Sequence, residues 1–388
     1  MKAITRTILV LSLVSLFTDV ASEMLYPIMP VYLESIHFSL VLIGVLEGMA
    51  EAIAGLSKGY FGKLSDNRGR RVPYIRLGYG LSALSKPMMA IFTFPIWIFS
   101  ARSMDRIGKG IRTGARDAML SDEATPQTKG TVFGFHRAMD TLGAVLGPLA
   151  ALVFLYYRPG QYKSLFLLAF IPGVIAIAFT LLVKDKNVKP KEKVSKTRFL
   201  DFIRYWKASP AQYRKLLIGL LFFALFNSSD VFLLLKIKDA GISDTSTIGA
   251  YVFYNIVYAA VSFPLGILAD RVGLKKIFIS GLLVFAIVYA GMGFSNSLYG
   301  FFAFFFLYGI YAAATEGIAK AWISNISDKK DTATAIGTYT AFQSICTLLA
   351  STLTGLLWMQ LGPGTTFIII ASATVLAAGY ITVVVKRR

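Results

Sequence analysis

Twelve apolar runs, each about long enough to cross a bilayer, constrain this chain more than any other feature. They fall at 7–33, 38–61, 72–92, 94–114, 131–156, 163–183, 214–236, 246–268, 274–294, 298–322, 333–359 and 364–385. Hydrophobic residues make up 55% of the sequence and charged residues only 16%, a balance that belongs to the membrane class. The first run follows a short basic start and carries Asp19, Glu23, Pro27 and Pro30, which predicts a retained first helix, not a cleaved signal. The expected fold is an all-α membrane protein of twelve transmembrane helices.

The net charge of +19 is distributed unevenly between the connections. Connections 34–37, 92–94, 157–162, 237–245, 295–297 and 360–363 contain only Arg158 and Lys238 as basic residues. The alternate set holds Lys63, Arg68, Arg70, Arg71, Lys129, Arg271, Lys275, Lys276, Lys329 and Lys330, and the tail Lys386-Arg387-Arg388 falls with it. The positive-inside rule therefore puts both termini in the cytoplasm of a multi-pass protein, expected in a bacterial inner (cell) membrane, and explains the basicity without nucleic acid. The long polar connection contains Phe199, Phe202, Ile203 and Trp206 at helical spacing among Arg198, Arg204 and Lys207, with Thr197 as a cap. That pattern predicts an amphipathic helix on the inner leaflet.

The chain repeats itself. Gly62-Lys63-Leu64-Ser65-Asp66-Asn67-Arg68-Gly69-Arg70-Arg71 has an imperfect copy at Gly266-Ile267-Leu268-Ala269-Asp270-Arg271-Val272-Gly273-Leu274-Lys275-Lys276, about half the chain away. Thr18-Asp19 is echoed by Ser229-Asp230, and the stretch from Asp105 to Lys109 by Glu316 to Lys320, at nearly the same spacing. Duplication predicts two pseudo-symmetric six-helix bundles, 1–183 and 214–388, joined by a basic linker at 184–213.

With its twelve runs, basic central connection and paired turns, the chain resembles the major facilitator superfamily over nearly its whole length. The resemblance implies a cytoplasmic gate in which Gly62, Asp66, Arg70 and Arg71, with Asp270 and Arg271 in the second copy, lock or release the halves. Asn67 replaces the basic residue usual after the first Asp. Gly143-Ala144-Val145-Leu146-Gly147-Pro148 looks like the core of the fifth-helix motif of proton-coupled drug and metabolite antiporters. Arg106 followed by Gly110 is similar to the fourth-helix arginine motif of that branch. The family implies alternating access, a small-molecule substrate, protons as coupling ion, a lipid bilayer around a monomer, and no cofactor.

The charges inside the runs are the candidates for chemistry. A charge at the bilayer centre costs about 2.5–3.5 kcal/mol or more, so it is expected to face a cavity or a partner. Asp19 and Glu23 lie at i, i+4 in the first run, and Glu47 and Glu51 in the second. One or more of these four are the expected proton carriers, with Asp230 in the seventh run as a further candidate. Lys86 lies within the third run. Arg102, Asp105, Arg106 and Lys109 form one stripe along the fourth, with Arg102 the expected partner of an anionic group or a carboxylate. Arg112, Arg116 and Asp117 are read as gate salt bridges, and His136, Arg137 and Asp140 as a network at the cytoplasmic end. In the second half the candidates are Asn227 and Asp230, Asn255 among Tyr251, Tyr254 and Tyr258, and Glu316, placed to pair with Lys320. Gly44/Gly48, Gly55/Gly59 and Gly143/Gly147 allow close helix approach, and Pro148 adds a bend for gating.

Some classes of function are disfavoured. The stretch from Gly108 to Gly114 has the composition of a phosphate-binding loop but not its order, so ATP-driven transport within this chain is not expected. One cysteine and two histidines argue against a disulfide or a Cys/His metal site. No nucleophile–base constellation marks an enzyme. The expected function is proton-coupled export of a small organic solute. The alternatives are proton-driven import of an anionic or zwitterionic metabolite or chelator, and a non-transporting membrane sensor.

Overall fold

The computed structural model describes residues 3–25, 29, 32, 33, 40–185 and 201–385; the side chains of 40–52, 244, 245 and 248 lie outside the description. The helices are α1 Arg6–Glu23, α2 Leu40–Arg68, α3 Val72–Ile91, α4 Pro95–Glu123, α5 Lys129–Tyr157 and α6 Tyr162–Thr180. A short helical turn over 201–208 precedes α7 Ala211–Ala224, α8 Val231–Asp239, α9 Asp244–Val272, α10 Leu274–Phe294, α11 Leu298–Ile326 and α12 Thr332–Val384. The seventh run is thus two helices, α7 and α8, separated at the polar stretch from Asn227 to Asp230. α12 contains the last two runs, bent at Gly362, whose φ of 76° interrupts the helical backbone.

Local chemistry sets the boundaries. Thr5 caps α1 by accepting the Ile8 amide at 3.3 Å. The paired turns use the same device: Gly69 (φ 63°) separates α2 from α3, and Gly273 (φ 106°) separates α9 from α10. Both angles lie where a side chain is strained, so glycine is required there. Asp185 Oδ1 accepts the amides of Arg71 and Val72 at 2.8 and 3.0 Å, which satisfies the start of α3.

Among the described residues, six helical stretches are long and apolar enough to cross a membrane by composition alone: Lys129–Tyr157, Tyr162–Thr180, Gly249–Val272, Leu274–Phe294, Leu298–Ile326 and Lys329–Val384. α2 and α4 are equally long, but α4 is polar along the stripe that holds the buried charges described below. Leu152, Val153, Ile171, Leu348, Leu349, Leu376 and Val383 are exposed along these helices, an apolar surface suited to lipid.

The chain divides into two units. Unit 1 comprises Met1–Glu123, Met139–Lys207 and Asp328–Ala341; unit 2 comprises Ala124–Ala138, Ala208–Ser327 and Phe342–Arg388. The first turns of α5 therefore belong to unit 2 and the first turns of α12 to unit 1, where a division at the linker alone was expected.

Glycines let α4 sit against two neighbours in unit 1. A Cβ added at Gly78 of α3 would lie 2.6 Å from the Gly108 carbonyl oxygen, and one at Gly108 equally close to that of Gly78. On α2, Ser57 blocks a Cβ at Gly110, and Gly62 lies 2.9 Å from one at Gly114. The phosphate-loop-like composition is thus a helix-packing surface. Gly143 and Gly147 of α5 fit against the Leu16 carbonyl and the Met24 amide of α1 in the same way. An apolar core of Met24, Leu25, Tyr32, Met89, Ile98 and Phe166 closes the far end of the unit. The linker turn also packs inward. Phe202 is buried over Gly59, the Phe202 carbonyl accepts from Thr338, and Lys63 Nζ donates to the Asp201 carbonyl at 3.0 Å. The predicted lipid-lying face is therefore corrected at Phe202, which faces protein, while Ile203 is exposed. Thr197, Arg198 and Phe199 lie outside the described residues.

Unit 2 is built on aromatic packing. Phe223, Phe285, Tyr289, Tyr308 and Tyr311 form a continuous cluster, with Phe285 and Tyr289 stacked at 4.1 Å between centroids. Gly134 of α5 meets the Ser262 carbonyl of α9, again at a distance that a Cβ would close to 2.6 Å.

Candidate functional site

The charged stripe of α4 and the acidic face of α1 meet in unit 1. Asp19, Ser22 and Glu23 from α1 and Arg102, Asp105, Arg106, Lys109 and Arg112 from α4 line one pocket. Helical spacing aligns each set on one face, and the glycine surfaces of α4 hold that helix close to α2 and α3. Arg102, Asp105, Arg106 and Arg112 are buried; Asp19, Glu23 and Lys109 are half-buried.

The charges are organised. Lys86, fully buried on α3, donates from Nζ to Asp105 Oδ1 at 2.7 Å and to Ser22 Oγ at 3.0 Å. Ser82 donates to the same Asp105 oxygen. Asp105 is therefore neutralised from behind the pocket. Asp19 faces Asp140, Lys109, Arg112 and Glu23 electrostatically, and Glu23 faces Lys109, Arg106, Asp105 and Lys86. The Arg112 guanidinium lies over the Tyr79 ring, 4.5 Å from its centroid. Its buried Nε and Nη1 have no hydrogen-bond partner among the described residues. Deeper in α4, Arg116 donates to Asp117 Oδ1 from Nε and Nη2 at 3.0 and 2.9 Å, and to Ser15 Oγ from Nη1 at 2.9 Å.

Several sequence expectations converge on this pocket and others move. Asp19, Glu23, Arg102 and Arg106 line it together. Lys86 does not line it but buttresses Asp105. Arg112 is corrected: it stacks on Tyr79 in the pocket, whereas a gate salt bridge was expected. Asp117 is paired within its own helix. Glu47 and Glu51 lie outside the described side chains. Asp105, Lys109, Ser22 and Tyr79 were not singled out as binding residues. Asp105 and Lys109 were visible as members of the α4 stripe; Tyr79 gave no signal beyond aromatic character.

The gate residues divide. Asp66 Oδ1 accepts from Arg71 Nη1 at 3.0 Å, and Asp66 Oδ2 accepts the backbone N–H and the hydroxyl of Thr334 at 2.6 and 2.7 Å. Arg71 Nε also donates to Asp122 at 3.0 Å. Gly62 is required where the Ala333 carbonyl approaches, 2.5 Å from the position of a Cβ. In unit 2, Asp270 accepts the amides of Gly130 and Thr131, both at 2.7 Å, and the Thr131 hydroxyl at 2.6 Å. Arg70 and Arg271 are exposed, so one member of the first basic pair, Arg71, does the buried pairing. Gly143, Gly147 and Pro148 lie in α5 where it packs on α1.

The unit 2 candidates are spread out. Asp230 accepts from the Tyr308 hydroxyl at 2.5 Å, and Ser228 and Tyr289 share a hydrogen bond at 3.1 Å. Asn255 donates to the Tyr251 carbonyl of its own helix at 3.0 Å, and Asn227 is half-buried. Glu316 pairs with Arg137 Nη2 at 2.8 Å, a partner the i, i+4 reading toward Lys320 did not include.

Comparison with known proteins agrees with this architecture. The model of the Major Facilitator Superfamily matches residues 11–254 and 216–388. An uncharacterised MFS-type transporter of Methanocaldococcus jannaschii is 32% identical over 95% of this chain and 92% of its own length. The multidrug resistance protein MdtG of Klebsiella pneumoniae is 26% identical over 71% and 68%, and a multidrug efflux pump PmrA homologue of Lactococcus lactis 22% identical over 81% and 78%. Among solved structures, the human organic anion transporter MFSD10 superposes with a TM-score of 0.82 at 15% identity, covering 97% of this chain and 99% of that one. FucP in its outward conformation gives 0.80 at 11% identity, covering 98% and 99%. The chain therefore belongs to the major facilitator superfamily: it is an all-helical, multi-pass membrane protein and a secondary transporter, not an enzyme.

Proposed function

We propose that this protein is a proton-coupled transporter of a small organic solute, and that solute and proton meet in the α1/α4 pocket. The observation that carries the reading is the gathering of Asp19, Glu23, Arg102, Arg106, Lys109 and Arg112 in one pocket of a membrane-embedded unit. Isolated charges there are costly, and a polar cavity between spanning helices is where ions and substrates cross. Asp19 and Glu23 carry the proton, with Asp230 a further candidate in unit 2. The two halves, 1–183 and 214–388, work by alternating access, opening the site to one side of the membrane at a time. The Asp66 and Asp270 contacts act as latches at the cytoplasmic face, the side favoured by the distribution of Lys and Arg.

Export is the direction supported by the fifth-helix motif and by the efflux pumps among the relatives. Uptake of an anion is the second reading, favoured by the sharing of one lining between Asp19, Glu23 and the four bases. An anion bound there would compete with ionised Asp19 or Glu23 for the same cationic groups and so promote protonation of those acids. Binding that strengthens with protonation moves solute and proton the same way.

Proteoliposomes under inward and outward proton gradients test both. Proton-coupled movement of a solute supports the reading, and its sense gives the direction. If Asp19→Asn and Glu23→Gln both retain coupling, the carrier lies elsewhere. A protein that moves no solute in any gradient is the sensor alternative.

A further inference from the structure

We propose that the solute is a small organic anion and that its carboxylate or phosphate group binds Arg112. The assignment deepens the transport reading and rests on the α1/α4 pocket being the transport site. The pocket lining contains four bases, Arg102, Arg106, Lys109 and Arg112, and three acids, Asp19, Glu23 and Asp105. Asp105 is already held by Lys86 at 2.7 Å from outside the lining. The lining base that selects for an anion is Arg112, whose buried donors are unmet among the described residues.

Arg112 carries the donors on which the assignment rests. It is 4% exposed, and its Nε and Nη1 are buried without hydrogen-bond partners among the described residues. Buried guanidinium donors without acceptors are unfavourable, and an oxyanion supplies the missing acceptors. The Tyr79 ring covers the guanidinium face at 4.5 Å, which fixes the plane and leaves the edges for hydrogen bonding. Nε and Nη1 belong to the two different edges of the fork, so each edge offers a donor to a planar carboxylate or to a phosphate. Arg106 lies six residues earlier on the same helix, about 9 Å along its axis, within reach of a second acidic group on the same solute.

The test uses purified full-length protein in detergent at constant potassium chloride concentration, with succinate, benzoate, inorganic phosphate and choline as probes. Saturable binding and thermal stabilisation by at least one of the three anions is expected, with none by choline; which anion binds separates carboxylate from phosphate chemistry. Arg112→Gln is expected to weaken that binding tenfold or more, and Arg112→Lys, which keeps charge but not the fork, by less. Arg106→Gln provides a second reduction if Arg112→Gln does not fold. The assignment is overturned if none of the three anions binds, or if they bind the folded arginine variants as tightly as the parent. Proton-driven flux of choline or a neutral solute, with no anion bound, would sink the assignment and leave the transport reading standing. Arginine-dependent anion binding without flux in any gradient would retain the site and sink the transport reading.

Discussion

Asp66 and Thr334 are 268 positions apart, yet a single Asp66 oxygen accepts both the Thr334 amide and its hydroxyl. The amide belongs to the first turn of α12, where backbone donors have no partner within the helix. Asp66 therefore acts as a cap supplied from a distant part of the sequence, and Arg71 balances its charge at 3.0 Å. Asp66→Ala is expected to lower stability by about 1–3 kcal/mol. Asp66→Asn keeps one oxygen for the amide but loses the charge facing Arg71, so its loss is smaller. Thermal unfolding of both variants in detergent checks the order; equal losses would show that the cap is not what matters.

Lys86 and Asp105 form a buried pair, and the two residues answer differently when removed singly or together. Lys86→Met strands a carboxylate and Asp105→Asn strands an ammonium, each with an expected loss of about 3–5 kcal/mol. The double variant leaves no charge stranded and is expected to recover much of that loss. A double-mutant cycle on unfolding midpoints reads the coupling; additive losses would contradict a tight pair.

The α4 glycines make a prediction with an internal control. At Gly110 an added Cβ meets Ser57, so Gly110→Ala must push α4 off α2, with an expected loss of about 1–3 kcal/mol. Gly80 on α3 has nothing among the described residues within 4 Å of its Cβ position, and Gly80→Ala is expected to be neutral or to stabilise by about 0.4–1 kcal/mol. Melting temperatures of the two variants decide it.

Tyr308→Phe deletes the hydroxyl that donates to Asp230 at 2.5 Å while keeping the ring in the aromatic cluster. If Asp230 takes part in coupling, flux is expected to fall severalfold, with a change in melting of only about 1 kcal/mol. Unchanged flux at every pH would remove Asp230 from the coupling scheme.

Much of the architecture was legible because hydropathy reports burial in lipid directly. The runs locate α3, α6 and α10 almost to their ends, and Asn227 to Asp230 mark the break between α7 and α8. α4 runs nine residues past its apolar segment, to Glu123, because its continuation is buried against protein and not lipid. The α1/α4 pocket was half legible: periodicity put Arg102, Asp105, Arg106 and Lys109 on one stripe, but not which neighbour each would meet. That choice is tertiary. Lys86 reaches Asp105 because Gly78 and Gly108 bring α3 and α4 together, and Arg112 meets Tyr79 across the same contact. The partner of Asp66 was beyond pattern reading, since nothing local to Thr334 marks it as a distant residue's donor.

The exchange of helix starts between the two units bears on modularity. A cut in the linker would leave residues 1–195 with Gly130 and Thr131 but without Asp270, which accepts from both. The fragment 196–388 would keep Thr334 without Asp66. Each fragment would carry a helix whose opening amides await an acceptor encoded on the other. Neither fragment is then expected to stand as a finished module: stable recovery is expected only when both are made together.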